Sequence, residues 1–491
     1  MQPSHVIAVF FGYAALLAVI GRLTARSNND GFFLAGRTTP WYVVAFGMIG
    51  ASLSGVTFIS VPGQVAAQGF SYLQMVFGYL IGYAFIMGVL MPLYYRMQLT
   101  SIYGYLGHRF GPRAYRTGAV FFLLSRVVGA SFRLFLVVLV LQLFVLQPLG
   151  WDVHVALGGM EWPLGVALTA LAVLGVIYGY TRQGGLGTVV WTDTLQTAAM
   201  LLAVVLAVDA VAGSLTGGDW GALWAAADAK GWTDVWVLND WKAPNHAVKH
   251  VLAGAFVAAT MTGMDQDMMQ KNLACRNLKE AQWNMGSFAV VLVGVNVLFL
   301  FLGAVLWLQA EAMGLSPERT DGLFPGVALS GELGWAVGLM FLVGLMAAAF
   351  SSADSALTAL TTSVCVDLLE VDQIPAHRAE GVRKQVHIGM TLLLAAVMLG
   401  FSMSTDRSVL TSIFTAANYT YGPLLGLFAF GLVSKRTVND RWIPVLAVAS
   451  PLLCYGLETG LGAAYGFSFG FALLVVNGGL MVAGLAALSK K

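Results

Sequence analysis

Residues 40–63 read PWYVVAFGMIGASLSGVTFISVPG, an apolar stretch with small and hydroxyl residues at its middle. A membrane-spanning helix needs about 20 mostly apolar residues, which this stretch supplies. Ser52 and Ser54 are two positions apart and cannot share one face of a regular helix. If both serve one site, the helix is broken there, and the break frees carbonyl oxygens for ions or polar solutes at mid-membrane. A packing face of small residues explains the same stretch equally well, so both interpretations stay open.

The composition of the whole chain also indicates a membrane protein. Of its 491 residues, 58% are hydrophobic and only 10% are charged, and the mean hydropathy is +0.77. Soluble proteins carry roughly 25% charged residues, so lipid must face much of this surface. The net charge of +2 predicts no nucleic-acid partner. Cys275, Cys365 and Cys454 lie far apart without metal-binding spacing, and nothing in the sequence indicates an obligate protein partner.

Thirteen apolar stretches are candidates for membrane-spanning helices. They lie near residues 5–24, 40–62, 70–95, 117–147, 162–181, 186–212, 249–268, 284–309, 333–364, 387–405, 408–433, 442–460 and 466–488. We therefore predict an all-α integral membrane protein with a single transmembrane domain over residues 1–491. The first stretch has no basic segment before it and no cleavage pattern of small residues after it, which indicates a retained helix.

Positive charges alternate between successive loops. Most of the 26 Lys and Arg residues fall in every second loop, in clusters that include Arg22 with Arg26 and Arg37, Arg96 with Arg109 and Arg113, Lys271 with Arg276 and Lys279, and Arg378 with Arg383 and Lys384. Cytoplasmic loops carry such an excess of positive charge. With an odd number of spans, this pattern predicts a multi-pass protein of the plasma or inner membrane, with its N-terminus outside and its C-terminus in the cytoplasm.

A stripe of hydroxyl groups runs along the ninth stretch. Ser351, Ser355, Thr358 and Thr362 follow helical spacing there. Hydroxyl and carbonyl oxygens are hard ligands that suit hard cations such as Na⁺, although hydroxyl groups also form hydrogen bonds between helices. Asp354 lies in the same run and favours the functional interpretation, because a charge inside the membrane is expensive.

Three further charges inside predicted spans, Asp193, Arg126 and Arg133, stand out. Asp193 lies roughly two turns into the sixth stretch and needs a cation near it, either in a structural salt bridge or on an ion path. Arg126 and Arg133 are seven residues apart in the fourth stretch, so they lie on one helix face. An arginine binds a carboxylate through two parallel hydrogen bonds. One interpretation is therefore that at least one arginine binds an anion. The alternative is that Arg133 snorkels to the membrane surface, or that the arginines pair with Asp193 or Asp354.

Four runs of sequence resemble the sodium/solute symporter family, whose members carry proline, glucose, pantothenate, iodide, monocarboxylates or sialic acid. The runs are GGLGTVVWTDTLQ (184–196), which is the most specific, SSADSALTAL (351–360), MDQDMMQKNLACRNLKEA (264–281) and YGPLLGLFAFG (421–431). Lys271 stands where an arginine is common in the family. The resemblance extends over nearly the whole chain and implies a sodium-coupled transporter rather than an enzyme.

The resemblance also implies a leucine-transporter-type fold. One leading helix, about 5–24, would precede two five-helix inverted repeats within about 40–433. Two trailing helices would follow within about 442–488. The absence of a GxxxxGK[ST] phosphate loop argues independently against an ATP-driven pump.

Two ion sites follow from the same resemblance. The main sodium site would use the carbonyl oxygens of Gly50, Leu53 and Ala348 and the hydroxyl oxygens of Ser351 and Ser352. Some members bind a second sodium, at a position that corresponds here to Asp193, Ser351 and Ser355. No cofactor is expected apart from Na⁺ as the coupling ion.

The solute site is indicated by a shorter pattern. The spacing Ser52-x-Ser54-x-x-Thr57 resembles the sialic-acid carriers of the family. Those carriers also hold the carboxylate of their substrate with an arginine of the third core helix, which corresponds here to Arg126 or Arg133.

We therefore predict a sodium-coupled symporter that imports a small polar organic solute. A carboxylate such as sialic acid is the preferred substrate, and an amino acid such as proline, a sugar or another neutral polar solute is the alternative. Val76 stands where the sugar carriers of the family have a glutamate, which disfavours a glucose-type site. Gln64 and Gln74 are additional candidates for polar contacts to the solute.

Overall fold

The structure is a computed structural model that describes residues 3–24, 29–53, 55–151, 153–157, 160–241, 243, 245–402, 409–466 and 469–490. Most of the described chain is α-helical. The helices are α1 (Pro3–Thr24), α2 (Asn29–Leu34), α3 (Trp41–Ser52), α4 (Gly55–Gly63), α5 (Val65–Gln68), α6 (Tyr72–Phe85), α7 (Met91–Arg96), α8 (Gly104–Phe110), α9 (Pro112–Leu141), α10 (Leu164–Gly184), α11 (Leu186–Thr216), α12 (Trp220–Asp228), α13 (Ala247–Met261), α14 (Gln266–Leu273), α15 (Leu278–Ala312), α16 (Leu323–Leu329), α17 (Trp335–Ser363), α18 (Ala376–Ser402), α19 (Val409–Val433), α20 (Ile443–Tyr465) and α21 (Leu473–Leu488). Two short antiparallel strand pairs join them, β1 (His154–Leu157) with β2 (Met160–Pro163) and β3 (Thr437–Val438) with β4 (Ser489–Lys490).

Eight helical segments of the described residues are long and apolar enough to cross a membrane. They are Tyr72–Arg96, Pro112–Leu141, Leu164–Arg182, Leu186–Thr216, Leu278–Ala312, Trp335–Leu368, Ala376–Ser402 and Asp440–Tyr465. Two bent pairs, α3 with α4 and α13 with α14, raise the number to ten when each pair is one span. The all-helical, multi-pass architecture predicted from the sequence is therefore confirmed, whereas the number of thirteen spans stays a prediction.

The span predicted near 40–62 is broken at its polar middle. Helix α3 ends at Ser52, and Leu53 has the non-helical angles φ −84° and ψ 82°. The axis turns by 52° between α3 and α4, which begins at Gly55. Ser54 lies outside the described residues. Because a helix end leaves carbonyl groups without partners inside the helix, the break brings backbone oxygen atoms to the middle of the protein.

A second broken span has no counterpart among the expectations from the sequence. Helix α13 ends at Met261, and α14 begins at Gln266 after an axis change of 66°. Asp265 caps α14 by accepting hydrogen bonds from the backbone N–H groups of Asp267 and Met268, at 2.9 and 3.3 Å. Such a cap stabilises a helix by about 0.5–2 kcal/mol. The sequence predicts the end of this span at 268, but α14 continues beyond that position and all eight of its residues are buried.

Glycines let α6 and α13 pack backbone against backbone. A Cβ atom on Gly78 would lie 2.2 Å from the carbonyl oxygen of Val251, and one on Gly254 would lie 2.1 Å from the carbonyl oxygen of Met75. Small residues at such crossings are typical of helix packing in membranes. This contact holds α13, the first helix of the second broken span, against α6.

The connection between α11 and α13 folds back over the ends of α6 and α15. Trp224 of α12 packs against Phe70 and Phe301, with ring centroids 5.8 and 5.6 Å apart. Trp236 stacks on Phe77 of α6 at 5.8 Å. This tryptophan-rich segment therefore covers one end of the bundle rather than extending away from it.

Candidate functional site

Helix α17 presents hydroxyl groups to α3 and α11 in the interior of the protein. Ser351 Oγ donates a hydrogen bond of 2.6 Å to Asp193 Oδ1 on α11. A Cβ atom on Gly50 would lie 3.2 Å from Ser351 Oγ and 2.2 Å from Thr197 Oγ1, so this position requires glycine. Gly50, Asp193 and Ser351, which the sequence singles out in three separate spans, therefore meet in space.

Ser352 has a buried hydroxyl group that is available to a ligand. Its side chain is buried, and no other described residue forms a hydrogen bond with its Oγ. A buried polar group without a partner costs about 1–3 kcal/mol. Ala348 lies one turn earlier on α17, and Leu53 lies at the end of α3, which packs against α17. Hydroxyl and carbonyl oxygens are the type of ligand that hard cations prefer.

Lys271 lies where the resemblance implies a second sodium site. Its Nζ is 2.7 Å from Asp193 Oδ2 and 2.6 Å from Ser355 Oγ. All three side chains are buried. The sequence predicts Lys271 in a basic cytoplasmic loop, and this prediction is wrong because α14 carries the residue into the protein interior. The cation that Asp193 needs therefore comes from a segment 78 positions away along the chain.

Asp354 and the last residue of the hydroxyl stripe, Thr362, form hydrogen bonds between helices. Asp354 Oδ2 accepts hydrogen bonds from Tyr180 OH on α10 at 2.7 Å and from Thr192 Oγ1 on α11 at 3.3 Å. Thr362 Oγ1 accepts a hydrogen bond of 3.0 Å from Gln270 Nε2 on α14. The interhelical explanation of the stripe is therefore correct for Thr362.

A cavity of about 120 Å³ lies beside the break between α3 and α4. A space of this size holds several water molecules, since one needs about 10–15 Å³. The polar side chains of its wall are Ser52, Thr57, Tyr72, Tyr79, Tyr83, Arg126, Arg133, Thr262 and Asn296. Leu53 also lines the cavity. The end of α3 therefore contacts both this cavity and the hydroxyl face of α17.

The two arginines of α9 differ in their partners. Arg126 Nη2 forms an ion pair with Asp267, and its Nη1 lies 3.9 Å from Asp265 Oδ2. Arg133 lines the same cavity, and no ion pair or hydrogen bond joins it to another described residue. The pairing considered from the sequence, with the carboxylates of α11 and α17, is therefore wrong for both arginines.

Gln74 and Gln64 lie apart from this cavity. Gln74 is fully buried, and its Nε2 donates to the carbonyl oxygens of Ser71 and Asn245 at 3.0 Å. Its Oε1 accepts a hydrogen bond of 3.1 Å from the N–H of Val237. Gln74 thus holds the connection between α11 and α13, and it is not among the residues that line the cavity beside the break. Gln64 lines a neighbouring cavity of about 10 Å³.

Three charged residues of the site, Asp265, Asp267 and Lys271, are missing from the site residues that the sequence predicts. Asp265 and Asp267 lie in the last turn of the stretch predicted near 249–268, and Lys271 lies just beyond it, where charges are typical of the start of a loop. One signal was present, because Asp is a residue type that starts helices. Asp265 could therefore have indicated a new helix directly after the span.

The chain belongs to the Sodium:solute symporter family, whose model matches residues 32–441. Members of this family are transporters and not enzymes, so the protein is a sodium-coupled solute symporter of the membrane, as the sequence predicts.

Similar proteins are known at the level of sequence and of structure. The sodium/sialic acid symporter NanT of Aliivibrio fischeri is 23% identical over 483 residues, which are 95% of this chain and 91% of the relative. Sodium-coupled monocarboxylate transporter 1 of Homo sapiens is 25% identical over 448 residues, which are 87% of this chain and 68% of the relative. The solved outward-open, substrate-bound state of a Na⁺-coupled sialic acid symporter has a TM-score of 0.79 at 20% identity, with 99% of both chains covered. The fold is therefore similar to that of leucine-transporter-type transporters.

Proposed function

We propose that this protein imports a small organic solute that carries a carboxylate group, with sialic acid as the first candidate. The observation that carries the proposal is Arg133, which lines the central cavity without an ion pair to any described residue. An arginine inside a membrane is expensive unless it faces a cavity or an anion. Two similar proteins, a sodium/sialic acid symporter and a monocarboxylate transporter, are named for carboxylate substrates.

The wall of the cavity provides further contacts for such a solute. The planar guanidinium of Arg133 binds the carboxylate through two parallel hydrogen bonds. The hydroxyl groups of Ser52 and Thr57 lie at the break and bind polar groups of the solute, together with Ser54 of the same spacing. Arg126 takes no direct part, because a carboxylate of α14 already compensates its charge.

Sodium binds between α3 and α17 in this proposal. Its ligands are the carbonyl oxygens of Gly50, Leu53 and Ala348 and the hydroxyl oxygens of Ser351 and Ser352. Two observations support the assignment: Ser352 Oγ is buried without a partner, and Gly50 approaches Ser351 closely. Leu53 also lines the solute cavity. A bound sodium ion therefore fixes the wall of that cavity, so that sodium binding promotes solute binding.

The repeat arrangement of the helices, the number of spans and the orientation in the membrane are part of the same proposal. Helices α3/α4 and α13/α14 begin two five-helix inverted repeats, with α1 in front and α20 and α21 behind them. Breaks at corresponding positions of two repeats are typical of transporters, whose bundles rock to expose the site alternately. We place thirteen spans in the plasma or inner membrane, with the N-terminus outside and the C-terminus in the cytoplasm. The membrane potential then adds about 2.3 kcal/mol per charge per 100 mV to the sodium gradient.

Uptake of radiolabelled sialic acid, lactate, proline and glucose into proteoliposomes tests the proposal. We expect an inward sodium gradient to drive accumulation of sialic acid or lactate more strongly than that of proline or glucose. Arg133→Gln should reduce this uptake at least about tenfold, since a charge-assisted hydrogen bond contributes about 1.5–3 kcal/mol.

Arg116→Gln is the matched control, because Arg116 lies on the same helix with its side chain 62% exposed. It should leave uptake unchanged. Sodium-driven uptake of proline or glucose alone would contradict the carboxylate assignment, as would full activity of Arg133→Gln.

A further inference from the structure

We propose that the ammonium group of Lys271 is a built-in replacement for the second sodium ion, so that this symporter carries one sodium per solute. The inference rests on the proposed function, sodium-coupled uptake through the main site between α3 and α17. Lys271 contributes neither to the proposed main sodium site nor to the proposed solute site.

The geometry places this ammonium group in the second site itself. Lys271 Nζ lies 2.7 Å from Asp193 Oδ2 and 2.6 Å from Ser355 Oγ. Ser351 donates to the other oxygen of the same carboxylate at 2.6 Å. The three residues implied for a second sodium ion therefore surround or support the lysine cation instead. A sodium ion at the same oxygens would stand directly beside a like charge in the protein interior, where repulsion is weakly screened.

The lysine is held there by the second broken span. Its side chain is 1% exposed. The adjacent Gln270 donates hydrogen bonds to the carbonyl oxygen of Phe33 and to Thr362 Oγ1, and Asp265 caps the helix that carries both. A tethered cation cannot leave with the cargo, so Asp193 keeps its compensating charge in every state in which α14 stays packed.

The existing ion pair also disfavours a sodium ion at this carboxylate. Lys271 already compensates the charge of Asp193, since both side chains are buried and their charged atoms are 2.7 Å apart. A sodium ion added to the same carboxylate would leave an excess positive charge in an apolar interior, where uncompensated charge is strongly disfavoured.

The first test is the stoichiometry of the wild-type protein. The reversal potential of solute flux in proteoliposomes, with imposed sodium and potassium gradients, gives the number of sodium ions per solute. We expect one, and a value of two would overturn the inference while leaving sodium-coupled uptake intact. A complete lack of sodium-driven flux would overturn the proposed function and this inference together.

The second test removes the tethered cation. In Lys271→Met, Asp193 has no fixed partner, so binding of ²²Na⁺ to the purified protein should rise from one ion to two per chain. Lys271→Arg should keep one, because the charge remains. Lys279→Met is the control, since Lys279 is an exposed basic residue of the following helix. If folded Lys271→Met binds one sodium ion with unchanged affinity, or none, the replacement of sodium by Lys271 is refuted.

Discussion

The two broken spans of this protein carry different chemistry at their breaks. The break between α3 and α4 presents neutral oxygen atoms, including the hydroxyl groups of Ser52 and Thr57 at the cavity. The break between α13 and α14 is followed by the charges of Asp267 and Lys271, and each forms an ion pair within the described structure. Neutral oxygens tolerate the departure of a cation, whereas a fixed charge inside a membrane must keep its partner. The first break is therefore suited to cargo, and the second to permanent compensation.

The largest effect should come from breaking an ion pair of the second break. Arg126→Leu leaves Asp267 without its partner in the interior, and we expect a loss of about 3–5 kcal/mol in the free energy of unfolding. Thermal unfolding in detergent measures this loss. The double variant Arg126→Leu/Asp267→Leu should recover most of it. An unchanged Tm for the single variant would show that the second break does not depend on paired charges.

A smaller effect should come from crowding the first break. Gly50→Ala places a Cβ atom 2.2 Å from Thr197 Oγ1, so we expect destabilisation of about 1–3 kcal/mol and weaker activation by sodium. Thr197→Ala should relieve part of the clash in the double variant. Gly12→Ala serves as control, because a Cβ atom there meets no atom within 4 Å. A Gly50→Ala protein with normal stability and sodium dependence would contradict the close packing of α3 against α11.

Removing one neutral ligand should weaken sodium binding without unfolding the protein. Ser352→Ala should raise the sodium concentration for half-maximal uptake about tenfold, which corresponds to a contribution of about 1.4 kcal/mol. The unfolding midpoint should stay the same, because Ser352 Oγ has no partner among the described residues.

Thr358→Val is the comparison variant, since its hydroxyl group is also buried without a partner but lies further along α17. Equal changes in both variants would move the sodium ion away from Ser352.

The smallest effect should come from changing the helix cap of the second break. Asp265→Asn keeps an oxygen acceptor for the N–H groups of Asp267 and Met268, and Asn caps helices as well as Asp does. The unfolding free energy should change by less than about 0.5 kcal/mol, whereas Asp265→Ala should lose about 0.5–2 kcal/mol. Chemical denaturation in detergent distinguishes these values. A loss as large as that of Arg126→Leu would assign Asp265 a compensating rather than a capping role.

The first broken span was accessible from the sequence, whereas the second was not. Ser52 and Thr57 stand out because their hydroxyl groups interrupt an apolar stretch. Such an interruption can be recognised in the sequence without knowing which residues lie nearby in space. Asp265 lies at the end of the stretch predicted near 249–268 and Lys271 just beyond it, so their linear context is that of the start of a loop. Their burial depends on the turn of 66° that directs α14 back into the protein, and composition does not report such a turn.

The amino-acid sequence by itself determined the membrane class, the family resemblance and part of the set of polar residues that form the site inside the spans. It did so because each polar group in an apolar span is expensive, whichever group it faces. Only the tertiary structure decided the pairing: Lys271 with Asp193, Arg126 with Asp267, and Arg133 with none of the described residues. Electrostatic partners are chosen by distance in space, and these partners come from helices that lie far apart along the chain.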